Sequence, residues 1–184
     1  MSNTKVVAIS GVSGAGKTTI VKLLANLFNC PFLLFDDHTD EDTYPENMKT
    51  WLEEGANVSI IETPKFINAL QILLAKSRTR FIFIEEPFGR ERHAMSMLID
   101  YVILLDQPME LCLSRIIKRH LESPNTDAIK SISSYLRKYQ DYLRQVYLNV
   151  ANQVRNNADL IVQAELTVNN TIIYISDWLE NNTS

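Results

Sequence analysis

One stretch near the start of the chain constrains its fold and function more than any other. Residues 11–18 read G-V-S-G-A-G-K-T, which fits the phosphate-binding pattern G-x-x-x-x-G-K-[ST]. An apolar, β-branched run at 6–9 precedes this stretch, and residues 19–28, with apolar positions at helical spacing, follow it. Strand, glycine-rich loop and helix are the context in which the pattern binds phosphates. The sequence therefore predicts a site for ATP or GTP.

The residue types of this loop suit an anion. Glycines let backbone N–H groups converge on a phosphate where a Cβ would obstruct them, and the positive end of the following helix points at the same anion. Lys17 can reach the β- and γ-phosphates, and the Thr18 hydroxyl can ligate Mg²⁺. The predicted nucleotide contacts in this stretch are Gly11, Ser13, Gly14, Ala15, Gly16, Lys17, Thr18 and Thr19.

Length and charge narrow the classes of protein that fit. A chain of 184 residues suits one domain, spanning 1–184. The net charge of −4 argues against a general nucleic-acid binder, and no apolar run approaches the roughly 20 residues that span a bilayer. The chain enters a strand at once, without a signal peptide, and its two cysteines favour free thiols. We expect a cytoplasmic protein with neither nucleic-acid nor membrane partners, for which a homo-oligomer is compatible with the sequence.

Apolar strands alternate with helices along the chain. The predicted strands cover 6–9, 31–35, 81–84, 101–105 and 159–162. The predicted helices cover 19–28, 45–54, 64–77, 91–97, a segment that begins at Pro108, 127–155 and 167–179. Because the strands are apolar throughout and connect through helices, we predict an α/β fold: a three-layer α/β/α sandwich with a five-stranded parallel sheet. Ligands of such sheets bind at the carboxyl ends of the strands.

Several segments, in order along the chain, resemble the uridine kinase-like family of P-loop kinases, which includes nicotinamide riboside kinase. The nucleotide loop is the sharpest match, and Leu34-Phe35-Asp36-Asp37 resembles the family's strand that ends in an aspartate. Weaker matches are Tyr44-Pro45-Glu46-Asn47, Pro64-Lys65-Phe66, Ile82-Phe83-Ile84-Glu85, Leu105-Asp106-Gln107-Pro108 and Ala158-Asp159-Leu160-Ile161-Val162. The resemblance implies an ATP- and Mg²⁺-dependent phosphotransferase that acts on a hydroxyl of a nucleoside-like molecule. Glu86-Pro87, where the family has glycine, and His38-Thr39, where it has an aromatic pair, leave the acceptor open.

The resemblance also assigns roles to acidic residues at strand ends. Asp36 matches the general base, which accepts the proton of the hydroxyl beside the γ-phosphate. Asp37 and His38 are candidate substrate contacts, although two adjacent aspartates also commonly cap a turn. Glu85 can hold the Mg²⁺ water shell or orient the substrate, and the alternative is a surface carboxylate.

Basic residues complete the predicted site. Arg115 and Arg119 lie one helical turn apart, and the resemblance implies that Arg115 binds the nucleotide while Arg119 neutralises charge in the transition state. The alternative is a solvated basic helix end. With the polar break that follows, they suggest a lid around 115–137. Arg90 lies in a segment that faintly resembles the acceptor-phosphate grip of nucleoside monophosphate kinases, and a mobile charged loop is the alternative.

Two other functions remain open at this point. A kinase of nucleoside monophosphates or other phosphometabolites needs a clamp for the acceptor's phosphate, for which Arg90, Arg92 and Lys65 are the candidates. A regulatory ATPase that phosphorylates nothing is the other alternative. The N-K-x-D motif with which GTP-specific switches read the base is absent from the sequence.

Overall fold

Five parallel strands form one sheet in the computed structural model, which describes residues 4–123, 127–163 and 166–183, apart from the side chain of residue 41. The strands are β1 (Lys5–Ser10), β2 (Phe32–Leu33), β3 (Phe81–Glu85), β4 (Tyr101–Asp106) and β5 (Leu160–Gln163). Their order across the sheet is β2-β3-β1-β4-β5, and every neighbouring pair is parallel. The predicted parallel sheet is confirmed.

The helices cover both faces of this sheet. Those in the described ranges are α1 (Lys17–Leu27), α2 (Met48–Glu53), α3 (Pro64–Lys76), α4 (His93–Ser96), α5 (Met109–Glu122), α6 (Ala128–Lys138), α7 (Arg144–Arg155) and α8 (Val168–Asn182). Side chains of α2, α3 and α7 pack on one face, and side chains of α1, α5 and α8 pack on the other. This arrangement confirms the three-layer sandwich.

The strands are apolar throughout because both of their faces are buried. In β1, Val6 and Ala8 belong to the core on the α2, α3 and α7 side, whereas Val7 and Ile9 belong to the opposite core. Successive side chains of a strand point to opposite faces, so a strand in the middle of a sandwich has no solvent-facing position. All four side chains are no more than 1% exposed.

The position of β1 at the centre of the sheet determines what lies next to the phosphate loop. β1 pairs with β3 on one side, where Ile9 is opposite Glu85, and with β4 on the other, where Ser10 is opposite Leu104. The loop that leaves β1 therefore emerges directly beside the carboxyl end of β3. The turn after β2 follows at the edge of the sheet, on the far side of β3.

Three elements differ from the predictions by more than their last residues. α2 begins at Met48 instead of Pro45, because the Asn47 side chain accepts hydrogen bonds from the backbone N–H groups of Lys49 and Thr50, both at 3.1 Å. β2 has two residues instead of five, since Phe35 turns into the core, where its ring meets those of Phe66 and Phe88. The helix predicted over 127–155 is divided into α6, a π-helical turn (Tyr139–Leu143) and α7.

Residues 124–126, within the predicted lid, lie outside the described residues. Across the described ranges, every helix is too short or too polar to cross a membrane.

Candidate active site

A cavity of about 500 Å³ opens at the carboxyl edge of the sheet, beside β1 and β3. The phosphate loop, the turn after β2, the end of β3 and helices α2, α5 and α7 all contribute to its walls. The predicted site residues that line it are Gly11, Ser13, Gly14, Gly16, Lys17, Thr18, Thr19, Asp36, Glu85, Arg115 and Arg119. The predicted site residues outside its lining are Ala15, Asp37, His38 and Arg90.

The phosphate loop is shaped by a close approach to α5. Gly14 has a φ of 83°, and a Cβ at this position would overlap the carbonyl group of Cys112. α1 then begins at Lys17, a residue that lines the cavity. The unpaired N–H groups and the positive dipole end of α1 are therefore available to an anion bound there.

Lys17 lies buried between the loop and β3. Its Nζ donates a hydrogen bond of 3.1 Å to the carbonyl oxygen of Val12 and lies 3.6 Å from Oε1 of Glu85. Burial lowers the pKa of Lys17, and the carboxylates of Glu85 and Asp36 oppose that shift. An anionic ligand in the loop would add the negative charge that favours the protonated amine.

The side-chain oxygens of Thr18 and Glu85 lie together next to this lysine. The Thr18 hydroxyl donates a hydrogen bond of 2.9 Å to Oε2 of Glu85, and the Glu85 side chain is buried. Within the described ranges, no cluster of three or more His, Cys, Asp or Glu side chains is arranged to hold a metal ion. Mg²⁺ is usually held by one or two protein oxygens together with substrate phosphates and water, so the Thr18–Glu85 pair suits it.

Asp36 places a carboxylate on the wall that faces the loop. It is the first residue of a single 3₁₀ turn (Asp36–His38) that follows β2, and its side chain is exposed to the cavity. Its charge opposes the lowering of the Lys17 pKa by burial, and it adds to the raising of the Tyr44 pKa by burial. Asp36, Lys17 and Tyr44 all line the cavity, so Asp36 acts on both the phosphate loop and the tyrosine.

The two residues after Asp36 have other surroundings. Asp37 is exposed and lies outside the cavity lining. Nδ1 of His38 lies 3.0 Å from the carbonyl oxygen of Leu34, and its ring packs edge-on against Phe66 with 5.5 Å between ring centroids. His38 therefore fixes the turn that presents Asp36.

Arg115 and Arg119 approach the loop from α5. A terminal nitrogen of Arg115 donates hydrogen bonds to the carbonyl oxygens of Gly14 and Ala15, at 3.2 and 3.4 Å. Arg119 follows one turn later and also lines the cavity. Its positive charge opposes protonation of Lys17. Both arginines therefore add positive charge to the end of the cavity that holds the phosphate loop.

Arg90 is held away from the cavity by partners on other elements. Its guanidinium donates to the carbonyl oxygen of Asn157 at 2.9 Å and to a carboxylate oxygen of Asp159 at 2.8 Å, and it also reaches the carbonyl oxygen of Asp100. These bonds tie the segment after β3 to the residues just before β4 and β5. These contacts give Arg90 a structural role, and we do not propose it as a substrate contact.

The far wall of the cavity was not predicted from the sequence. It is formed by apolar and aromatic side chains of α2 and the residues before it, of the segments before α3 and after β3, and of α7. The residues are Tyr44, Met48, Trp51, Ile61, Phe88, Val146, Tyr147 and Val150. Burial, with a smaller contribution from Asp36, raises the pKa of Tyr44 to about 12. The only sequence feature that pointed to this wall was the weak family match at 44–47, and that match was interpreted only as the start of a helix.

A buried ion pair lies directly behind this wall. The guanidinium of Arg92 bonds to both carboxylate oxygens of Glu86, and these side chains are 2% and 0% exposed. Arg92 also donates to the carbonyl oxygen of Ile61 at 2.9 Å and to the Thr63 hydroxyl at 2.6 Å. Burial raises the pKa of the Glu86 carboxyl, and Arg92 opposes that shift. The pair joins the end of β3 to the segment that leads into α3.

We expect Arg92→Met to lower the free energy of unfolding by about 3–5 kcal/mol, because the buried Glu86 carboxylate loses its partner. Urea denaturation of the two proteins measures the difference. The double variant Glu86→Gln/Arg92→Met is the matched control, since it removes both charges and should recover part of the loss. A single variant as stable as the native protein would contradict this role.

Comparisons with known proteins agree with this geometry. No family model matches the chain. A uridine kinase from Macrococcus caseolyticus is 24% identical over 187 residues, which cover 88% of this chain and 89% of that protein. A gluconokinase from Arabidopsis thaliana is 42% identical over 138 residues, which cover 64% of this chain and 68% of that protein.

Solved structures show the same fold. The crystal structure of shikimate kinase from Aquifex aeolicus superposes with a TM-score of 0.59 at 17% identity, covering 96% of this chain and 97% of that one.

The gluconokinase match extends over more than two thirds of that enzyme, and the uridine kinase match spans nearly all of both chains. The chain therefore belongs to the P-loop kinases of the uridine kinase-like type, and it is an ATP-dependent phosphotransferase.

Proposed function

We propose that this kinase transfers the γ-phosphoryl group of ATP to a hydroxyl of a small, nucleoside-like molecule, with Mg²⁺ as cofactor. The observation that carries the proposal is that Lys17, at the phosphate loop, and the carboxylate of Asp36 line the same cavity. Phosphoryl transfer needs a cation on the phosphates and a proton acceptor beside the attacking hydroxyl.

The nucleotide end of the cavity is the proposed site of the ATP phosphates. Backbone N–H groups of the loop and the start of α1 would hold them, and Lys17 would contact the β- and γ-phosphates. Arg115 and Arg119 lie on the opposite side of the loop, where their charge would stabilise the transition state. The buried position of Lys17 strengthens its interaction with an anion, since little water screens it.

Mg²⁺, when bound, would neutralise charge on the phosphate oxygens. Thr18 and Glu85 are the proposed protein ligands, directly or through water, because their oxygens already lie within hydrogen-bonding distance of each other. Glu85 also neutralises Lys17 in the absence of nucleotide, so it has two partners on one carboxylate.

Asp36 is the proposed general base. It begins the turn that follows β2 at the ligand edge of the sheet, and its charge acts on both Lys17 and Tyr44 of the far wall. An acceptor hydroxyl between these two positions would lie close to the γ-phosphate on one side and to the Asp36 carboxylate on the other. Loss of its proton to Asp36 would make the oxygen a better nucleophile.

The alternative of a phosphometabolite kinase finds little support in the structure. The three candidates for a clamp on the acceptor's phosphate all have other partners: Arg90 bonds to Asp159, Arg92 to Glu86, and Lys65 to Asp40 at 2.6 Å. The side chains of Lys65 and Asp40 are both mostly exposed, whereas a clamp for a phosphate needs an enclosed cation. These contacts favour an acceptor without phosphate.

A panel of nucleosides, vitamins with free hydroxyls and sugar phosphates tests the proposal. ADP release in the presence of each compound is compared with the rate without acceptor. We expect at least one unphosphorylated alcohol to raise the rate well above that background. A flat panel, with only acceptor-independent hydrolysis, would support a regulatory ATPase instead.

We expect Thr18→Ala to raise the Mg²⁺ concentration needed for half-maximal activity, because the metal loses a hydroxyl ligand. A Mg²⁺ titration of activity at saturating ATP measures the change. Thr19→Ala is the matched control, since Thr19 is the next exposed hydroxyl of α1. Identical titrations for the native protein and Thr18→Ala would remove Thr18 from the metal site.

A lid around 115–137 remains part of the proposal, and three tyrosines link it to the loop. The hydroxyl of Tyr135, on α6, lies 3.1 Å from that of Tyr147, on α7, and Tyr147 lines the cavity together with Ser13 of the loop. The ring of Tyr139 lies 6.2 Å from the ring of Tyr135 and 6.3 Å from that of Tyr147. A ligand that moves the loop would therefore also displace α6.

We expect amide hydrogen exchange in 115–123 and 127–137 to slow when an ATP analogue and the acceptor are both bound, since closure protects these helices. Exchange detected by mass spectrometry measures this protection. α8, which packs against α1 and contributes no residue to the cavity lining, is the internal control. Equal exchange in the free and doubly bound protein would show that these helices form no lid.

A cytoplasmic location completes the proposal. Cys30 and Cys112 are both free thiols, as is usual in reducing compartments.

A further inference from the structure

The cavity has two chemically different ends. The cationic side chains on its lining are Lys17, Arg115 and Arg119, all at or facing the phosphate loop. The opposite end is a wall that we call the apolar wall, formed by Met48, Trp51, Ile61, Phe88, Val146 and Val150. These six side chains belong to one packed cluster on the same face of the sheet. Asp36 lies between the two ends, so the acceptor would occupy the space beside the apolar wall.

Arg92, the cation that packs behind the apolar wall, is already neutralised by Glu86. Arg92 lies over the rings of Phe35 and Phe88, with 5.3 and 5.8 Å from its guanidinium carbon to the ring centroids. Its hydrogen bonds go to Glu86, Ile61 and Thr63, and its side chain is 2% exposed. A phosphate or carboxylate on the acceptor would lie against apolar carbon with its charge unpaired, which is strongly unfavourable.

Most polar groups of this end are also engaged within the protein. The indole N–H of Trp51 donates to the carbonyl oxygen of Asn57 at 3.0 Å, and the Tyr147 hydroxyl pairs with that of Tyr135. The Tyr44 hydroxyl keeps its proton at neutral pH, since its pKa lies near 12, and can donate to a ligand. An acceptor rich in hydroxyl groups would therefore find few partners here.

We infer that the acceptor is an uncharged alcohol that packs a ring-sized apolar face against the apolar wall, with few polar groups on that face. This inference rests on the proposed function, because it concerns the acceptor of the same reaction. It selects neutral aromatic or alicyclic alcohols, and nucleosides that bury their base, over phosphorylated and carboxylate-bearing compounds.

Matched pairs of acceptors test the inference. Each pair shares a hydroxyl and a ring and differs in one charged group: a nucleoside and its 3′-monophosphate, and an aromatic alcohol and its ring-carboxylate analogue. Acceptor-dependent ADP release gives kcat/KM, and saturation-transfer NMR with the native protein gives binding independently of turnover. We expect the neutral member to be preferred about 100-fold or more in kcat/KM, as several kcal/mol of unpaired charge requires.

A gain-of-function variant sharpens the test. Met48 is half-buried at the start of α2 and lines the cavity, so Met48→Lys would add a cation at the apolar wall while its methylene groups keep the packing. We expect this change to raise the affinity for the anionic members about tenfold and to leave the KM for ATP unchanged. Thr50→Lys, an exposed position outside the cavity lining on the same helix, is the matched control and should leave the preference unchanged.

The possible outcomes separate the two proposals. Preferred phosphorylation of the anionic members, or equal use of both, overturns the inference and leaves the kinase function intact. Binding of the neutral members without ADP release above background supports the apolar recognition and overturns the proposed function. Failure of every neutral member to bind overturns the inference.

Discussion

Lys17→Ala is expected to lower kcat by about 10²–10³ or more, the usual loss when a preorganised positive group is removed from a developing charge. The Lys17 amine is buried beside the loop, 7% exposed, so solvent cannot replace its interaction with the phosphates. Steady-state kinetics with saturating acceptor measure kcat and the KM for ATP. Near-normal turnover would mean that the nucleotide does not bind on this loop.

The control for this variant must separate lost chemistry from lost folding. Removal of Lys17 leaves the Glu85 carboxylate buried without its cation, 3.6 Å from the missing nitrogen, so some loss of stability is expected as well. Lys22→Ala changes an exposed lysine of the same helix and should leave kcat unchanged. Thermal unfolding of both variants shows whether Lys17→Ala is folded under the conditions of the assay.

Asp36→Asn is expected to lower turnover by about 10²–10⁴, the usual contribution of a positioned general base, with ATP affinity within a few-fold of normal. Asparagine keeps the size of the side chain and removes its ability to accept the proton. Because the Asp36 side chain is exposed and starts a short turn, the fold should tolerate the change. Single-turnover kinetics measure the transfer step, and nucleotide titration measures the affinity.

Asp37→Asn is the matched control, since Asp37 is the adjacent carboxylate and lies outside the cavity lining. It should slow phosphoryl transfer much less than Asp36→Asn. Loss of activity in Asp37→Asn with normal activity in Asp36→Asn would assign the base to the second aspartate. Normal transfer in both variants would mean that the aspartates only shape the turn.

The parts of the fold that could be predicted from sequence are those that a local pattern specifies. The four-residue apolar run before Gly11 becomes β1, and Pro64 opens α3 as its fixed φ favours. Thr167 caps α8 with a hydrogen bond of 3.2 Å from the backbone N–H of Asn170 to its hydroxyl. Each of these signals acts over a few residues, so tertiary contacts did not reverse them.

The helix and strand boundaries that differ from prediction are those where two nearby residues could each start or end the element, and the sequence pattern does not show which of them does so. Pro45 and Asn47 can each start a helix, and the side-chain cap of Asn47 is the one that forms.

The two adjacent acidic residues at the end of β3 have side chains on opposite sides of the sheet. Glu85 points to the loop, where it meets Lys17 and Thr18, whereas Glu86 turns toward Arg92 on the opposite side. Alternation predicts that adjacent strand residues separate, and only the fold shows which one reaches the loop.

The apolar wall was not predictable because its residues are distant in sequence. Met48 and Trp51 come from α2, Phe88 from the segment after β3, and Val146 and Val150 from α7. Each is typical of an ordinary core residue, and together with Ile61, from the segment before α3, they form a wall only because four parts of the chain meet on one face of the sheet. The partners of Arg92, likewise, are known only once the segment before α3 is placed beside β3.

Transfer of labelled phosphate from ATP to an acceptor tests the account most directly. The native protein and Asp36→Asn are incubated with ATP labelled in its γ-phosphate and with the best alcohol of the panel, and the label is followed by chromatography. We expect label to appear in the acceptor with the native protein and to be nearly absent from the acceptor with Asp36→Asn, although both proteins bind ATP. Label found only as inorganic phosphate, at the same rate with and without acceptor, would contradict it.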